Sequence, residues 1–140
     1  MPIDKKLISR KITLINGDLK SLKALSKLSL KTYLSKADYE ALAERYLERI
    51  IGRMIDINYH ILSEKEKEIP ADFYNSFIAL GRKKYLPIKL ADIMANSAGL
   101  RNRLAHEYDE IDAKKVFGAM VACLKDVPKY LKNIVKSLGL

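Results

Sequence analysis

Three long runs of this chain repeat their apolar residues at alternating steps of three and four, and that period leaves little choice of fold. In the first, Ile8, Ile12, Ile15, Leu19, Leu22 and Leu25 fall on one stripe of a helix of about six turns. The second carries Leu47, Ile50, Ile51, Met54, Ile55, Ile61 and Leu62, and the last carries Val116, Met120, Leu124, Val127, Leu131 and Val135. Each stripe must be covered by another helix, because an apolar face left in water gains nothing from folding. Asn16 and Gly17 weaken the first run, the glycine by about 1 kcal/mol, without breaking its pattern.

The boundaries follow from capping chemistry. Ser35 with Asp38 three residues later resembles a capping box that opens the second helix, with Asp in place of the preferred Glu. "SEKEKEIP" reads as the loop that ends it. "ADFYNSFIALGRKK" sets Phe73, Phe77 and Leu80 on one helical face, and Pro87 suits the first turn of a further helix. Asp112 can cap the last helix, which Pro128 should kink or interrupt by removing a backbone donor and crowding the carbonyl four residues earlier. No strand pattern, internal repeat or linker is present in the sequence. The expectation is an all-α, antiparallel bundle of four to five helices forming a single domain over residues 1–140, antiparallel because the connections are short.

Several function classes drop out. At 140 residues the chain can bury a core without disulfide or metal staples. Its single cysteine, Cys123, lies in the apolar run "VFGAMVACL" and has no partner for a bridge, which suits a reducing compartment and a packing role. No metal is expected: His60 and His106 lie far apart and no HxxxH or Cys/His cluster exists. A glycine-rich phosphate loop is missing, so neither a P-loop nor a dinucleotide fold is expected, and no cofactor is implied. The start "MPIDKKLISRKITLING" lacks a signal peptide's apolar core, and no run is long and apolar enough to span a bilayer, so a cytoplasmic protein without a membrane partner is expected. Lys and Arg number 26 against 17 Asp and Glu, and the resulting +9 attracts polyanions such as RNA, DNA or acidic proteins.

The chemistry concentrates in "GLRNRLAHEYDEID", residues 99–112. Arginine presents a planar, permanent fork that matches a phosphate, and histidine, with an unperturbed pKa of about 6.5, can move a proton near neutrality. Together Arg101 and His106 suit metal-free attack of a ribose 2′-hydroxyl on its own phosphodiester. Asn102 and Arg103 stack with His106 at four and three residues' separation, whereas Arg101 stands five away, about 140° round a regular helix. For Arg101 and His106 to meet at one ligand, the helix must end or loosen, with Gly99 as the break, or the long arginine must reach round; a site shared across a two-fold axis is easier to assemble. Spacing alone equally fits an exposed helix end whose arginines pair with Glu107, Asp109 and Glu110 while His106 packs.

An arginine, a polar residue, a short gap, a histidine, one residue and a tyrosine resemble the signature of the HEPN superfamily, and more narrowly that of HepT-like toxins. "AERYLERIIGRMIDINYHIL" is similar to that family's long helix, with Glu44, Arg45, Asp56 and His60 at its characteristic positions. The resemblance implies a HEPN-like bundle, a homodimer setting two Arg/His pairs around a basic cleft, and a metal-independent endoribonuclease toxin acting on RNA. In it Arg101, Asn102 and His106 would be catalytic, with Arg103, Asp56 and His60 in support. It further implies a cognate MntA-like nucleotidyltransferase antitoxin, in a complex with the toxin, that transfers AMP to Tyr108. Two alternatives stay open: a non-catalytic HEPN subunit that binds a nucleotide or substrate for its nucleotidyltransferase, and, for Asp56 and His60, a structural helix pair bonded i to i+4.

Overall fold

The computed structural model describes residues 2–106 and 112–140. Six helices follow one another: α1 (Lys5–Ser26), α2 (Leu30–Leu34), α3 (Ala37–Glu66), α4 (Phe73–Arg82), α5 (Ile88–His106) and α6 (Ala113–Leu138), with no strand among the described residues. Five of them are the bundle helices expected, and α2, a five-residue turn of helix, is the addition. No helix among the described residues is long and apolar enough to cross a membrane.

α3 is the central post, packed against each of the other five helices. It runs antiparallel to α1, because as α1 advances its partners on α3 recede. Asp4 N–H donates to His60 Nε2 at 3.0 Å, Lys11 pairs with Asp56 at 2.9 Å, and Asp18 takes Arg53 at 2.7 Å and Arg49 at 3.1 Å. Asp18 is buried, and two guanidiniums on one carboxylate offset the cost of taking it out of water. Deeper in, Tyr130 on α6 donates to Asn58 Oδ1 at 2.5 Å, Asn58 Nδ2 donates to Ser76 Oγ at 3.1 Å, and Ser76 Oγ donates to the Phe73 carbonyl at 2.7 Å. This chain of side chains ties α6, α3 and the first turn of α4 together inside an otherwise apolar core.

α4 and α5 form a tight antiparallel hairpin. A Cβ at Gly81 would lie 2.6 Å from the Ala91 Cβ, so only glycine permits this approach. The turn between them passes through Lys84 at φ 69° and is held by Tyr85, whose hydroxyl donates to Glu66 at 2.9 Å and whose carbonyl accepts from Ser137 at 3.1 Å.

Four local expectations are corrected. Ser35 does not cap α3: it closes α2, its hydroxyl donating back to the Thr32 carbonyl, and Lys36 precedes α3 without a side-chain cap bond. The helix expected to end before "SEKEKEIP" continues to Glu66, because Tyr85 and Lys83 engage Glu66 and an α-left Lys67 at φ 52° ends it there. Gly99 breaks nothing: α5 is continuous through it, carried by the buried Ala95, Ala98 and Leu104 on either side. Pro128 does not interrupt α6, whose buried Val127, Tyr130, Leu131 and Ile134 hold the two halves in one helix despite the missing donor. Asp112 does cap α6, accepting from Lys114 N at 2.8 Å.

Candidate active site

The motif side chains leave the last two turns of α5. Leu104 is buried and Leu100 half-buried, which fixes this end of the helix on the core and turns Asn102, Arg103 and His106 toward solvent. Arg101 is half-buried, with its guanidinium carbon 5.6 Å from the centroid of the Phe73 ring at the start of α4. Phe73 in turn meets Tyr59 of α3 edge to face at 6.0 Å. A guanidinium lying on an aromatic face is attracted to the ring and keeps its N–H fork free for an anion. Among the described residues neither Arg101 nor Arg103 has a carboxylate partner, so the fork is uncommitted with respect to them. Arg103 folds back along the helix, its Nη1 3.6 Å from where a Gly99 Cβ would sit, an ordinary contact distance.

α5 is a helix through both Arg101 and His106, and they depart from its axis about 140° apart. Tyr108, with Glu107, Asp109 and Glu110, lies outside the described residues. Asp56 and His60 are not bonded to each other: Asp56, exposed, pairs with Lys11, and His60, half-buried, accepts from the Asp4 backbone, so both fasten the start of α1. They share a shallow groove with Tyr59, which places them one aromatic pair away from Arg101.

The aromatic support of Arg101 was not visible in the sequence. Phe73 carries the three-and-four spacing of a core residue, and nothing local marks a contact with a residue 28 positions on. Burial, with the Asp72 carboxylate second, raises the Tyr59 hydroxyl above its ordinary range, so Tyr59 serves this site as a neutral ring. Glu44 lies toward the start of α3, half-buried, its carboxyl raised by burial and by Glu40, while Arg45 is exposed. Cys123 is half-buried beside Asp126, and burial followed by that carboxylate pushes its thiol up to about 12, which makes it a poor nucleophile at neutral pH.

The family described as ribonuclease HepT-like matches residues 15–134. The chain belongs to that family. It is 39% identical over 132 residues to the tRNA nuclease HepT of Aphanizomenon flos-aquae, a span covering 94% of this chain and 90% of that protein. It is 28% identical over 91 residues to the mRNA nuclease HepT of Shewanella oneidensis, covering 65% and 68% of the two chains. Among solved structures, the tri-AMPylated Shewanella oneidensis HEPN toxin in complex with its MNT antitoxin superposes with a TM-score of 0.85 at 23% identity, over 94% of this chain and 98% of that one. The HepT-like fold therefore extends over nearly the whole chain, with the α4–α5 hairpin and its Arg101–Phe73 contact inside the matched region.

Proposed function

We propose that this HepT-like protein is a metal-independent endoribonuclease toxin in which Arg101 and His106 act on a phosphodiester with Asn102 positioning the substrate. The observation that carries the reading is an arginine fork seated on Phe73 at the end of α5, with His106 exposed one turn beyond it. In the reaction the ribose 2′-oxygen attacks the adjacent phosphorus, the bond to the 5′-oxygen breaks, and a 2′,3′-cyclic phosphate and a 5′-hydroxyl result. His106 moves a proton to or from one of those oxygens, and Arg101 neutralises charge growing on the phosphate. Because the two side chains diverge by about 140° on one helix, a homodimer that pairs two α5 ends about a two-fold axis supplies each arginine with a facing histidine.

The same reading takes a nucleotidyltransferase of the MntA type as antitoxin, transferring AMP from ATP to the Tyr108 hydroxyl with loss of pyrophosphate. It draws support from the solved neighbour, an AMPylated toxin bound to such an antitoxin. An adenylate seven residues from Arg101 would set a phosphate where RNA must bind. The test is RNA cleavage by the purified chain in EDTA. Cyclic-phosphate ends are expected, His106→Ala should stop cutting without lowering the melting temperature, and persistent cleavage by that variant overturns the role of His106. Sedimentation that finds only monomer at micromolar concentration overturns the shared site, and an unchanged mass shift in Tyr108→Phe moves the modification elsewhere.

A further inference from the structure

At the opposite end of α5 from the motif, a groove of about 480 Å³ opens between the first turn of α5 and the C-terminal half of α6. Lys129, Lys132 and Lys136 line it at spacings of three and four, hence from one face of α6, and Lys89 lines it from α5. All four are exposed, and the one acid in the lining, Asp126, is 4.0 Å from Lys129. Among the described residues Lys89, Lys132 and Lys136 have no carboxylate partner. α5 begins here with no acidic residue in its first turn, which leaves the positive end of its dipole facing the same groove. Pro87, Asn133 and Lys136 continue the surface into a neighbouring hollow that adds Lys84. Tyr85 bonds the turn to both α3 and α6, so the cations are mounted on a braced frame.

The groove lies on the same stripe of α5 as Arg103, the arginine beside the catalytic pair. Lys89, Ile93, Asn96, Leu100 and Arg103 follow one another at steps of three and four and form a single stripe along α5. Lys89 to Arg101 is twelve residues, about 18 Å along the helix and about 120° round it, a path that several nucleotides of a backbone cover.

We propose that this lysine groove is a second binding surface for the RNA phosphate backbone, holding the part of a long substrate that lies beyond the scissile bond. The inference rests on the ribonuclease reading and specifies how that site selects its substrate. RNAs long enough to reach from Arg101 to Lys89 bind through both ends of α5, and short ones bind through the motif alone. Phosphates suit the groove because its donors are point-charged ammonium groups on flexible stems, which accept a phosphate chain without fixed registration.

The experiment measures RNA binding by fluorescence anisotropy in a His106→Ala background, so that nothing is cut, with a folded hairpin longer than the helix and a tetranucleotide as probes. Lys132→Glu with Lys136→Glu should weaken hairpin binding about tenfold or more and lower the slope of log affinity against log salt by about 1.5, the contribution of two phosphates. The paired Gln substitutions should give a smaller loss in the same direction. Lys20→Glu with Lys23→Glu, lining the groove between α1 and α6, makes the same change in net charge and should cost far less. Equal losses in the two charge-reversal pairs would mean that net charge alone is felt, and hairpin binding unchanged in the first would mean that the groove holds no RNA; either overturns the proposal. Loss of antitoxin binding with hairpin affinity intact assigns the groove to a protein partner and also overturns it. Failure of the parent reading is seen separately, as intact chain that cuts no RNA whatever its variants bind.

Discussion

Replacing Tyr130 by phenylalanine removes one oxygen from the centre of the bundle and keeps the ring, which stays packed on Phe77 at a centroid distance of 6.1 Å. What is lost is the donor to Asn58 Oδ1. Asn58 is fully buried, so no water replaces that donor, and an orphaned buried acceptor costs about 1–3 kcal/mol. With an unfolding entropy of about 2.1 cal/mol/K per residue, a chain of 140 residues has about 0.3 kcal/mol/K, and the melting temperature should fall by about 3–10 °C. Asn58→Leu alone should cost a similar amount, because it leaves the Tyr130 hydroxyl only the Met54 carbonyl at 3.1 Å and takes a partner from Ser76. The double variant Tyr130→Phe with Asn58→Leu should be less destabilised than the sum of the two, by roughly 1 kcal/mol, since neither partner is then left unpaired. Thermal and urea melts followed by circular dichroism at neutral pH measure all three. A Tyr130→Phe melting point indistinguishable from the parent, or strict additivity in the double variant, would refute the claim that this buried network carries stability.

Phe73→Leu should lower kcat/KM for RNA about two- to fivefold, the worth of an exposed cation–π contact of about 0.5–1 kcal/mol, and Phe73→Tyr should restore it. Gly81→Ala should lower stability by about 1–3 kcal/mol in denaturant melts, because its Cβ would meet Ala91 at 2.6 Å and α4 must move off α5. Alkali should destabilise the fold: the thiol of Cys123 and the hydroxyls of Tyr33 and Tyr85, ordinarily at 9.0 and 10.0, are each raised to about 12. The unfolded chain therefore gives up protons that the folded chain keeps, and stability falls as pH rises from about 9 toward about 12. Urea midpoints across that range should drop less steeply for Cys123→Ala than for the parent.

The long helices were legible because their signal is local. The stripes of α1, α3 and α6 repeat within a few turns, and Asp112 sits two residues from the N–H it caps, so pattern and cap could be read without a partner. The motif cluster was equally plain, since rare chemistry was concentrated in fourteen residues. What escaped depends on residues distant in sequence. α2 is too short to show a period and exists because Ser29 caps it and Tyr33 buries its ring against Phe117 of α6 at 5.0 Å. α3 outlasts its apolar stripe because Glu66 finds Tyr85 and Lys83, and α5 and α6 pass through Gly99 and Pro128 because neighbouring side chains are buried on both sides of each. Asp56 and His60 look like a pair in the sequence and are claimed one each by α1. Arg101 could be named from the sequence, but its seat could not. Phe73 reaches it only because Gly81 lets α4 lie against α5, and a helical period records which face of a helix is buried without recording which side chain will meet it there.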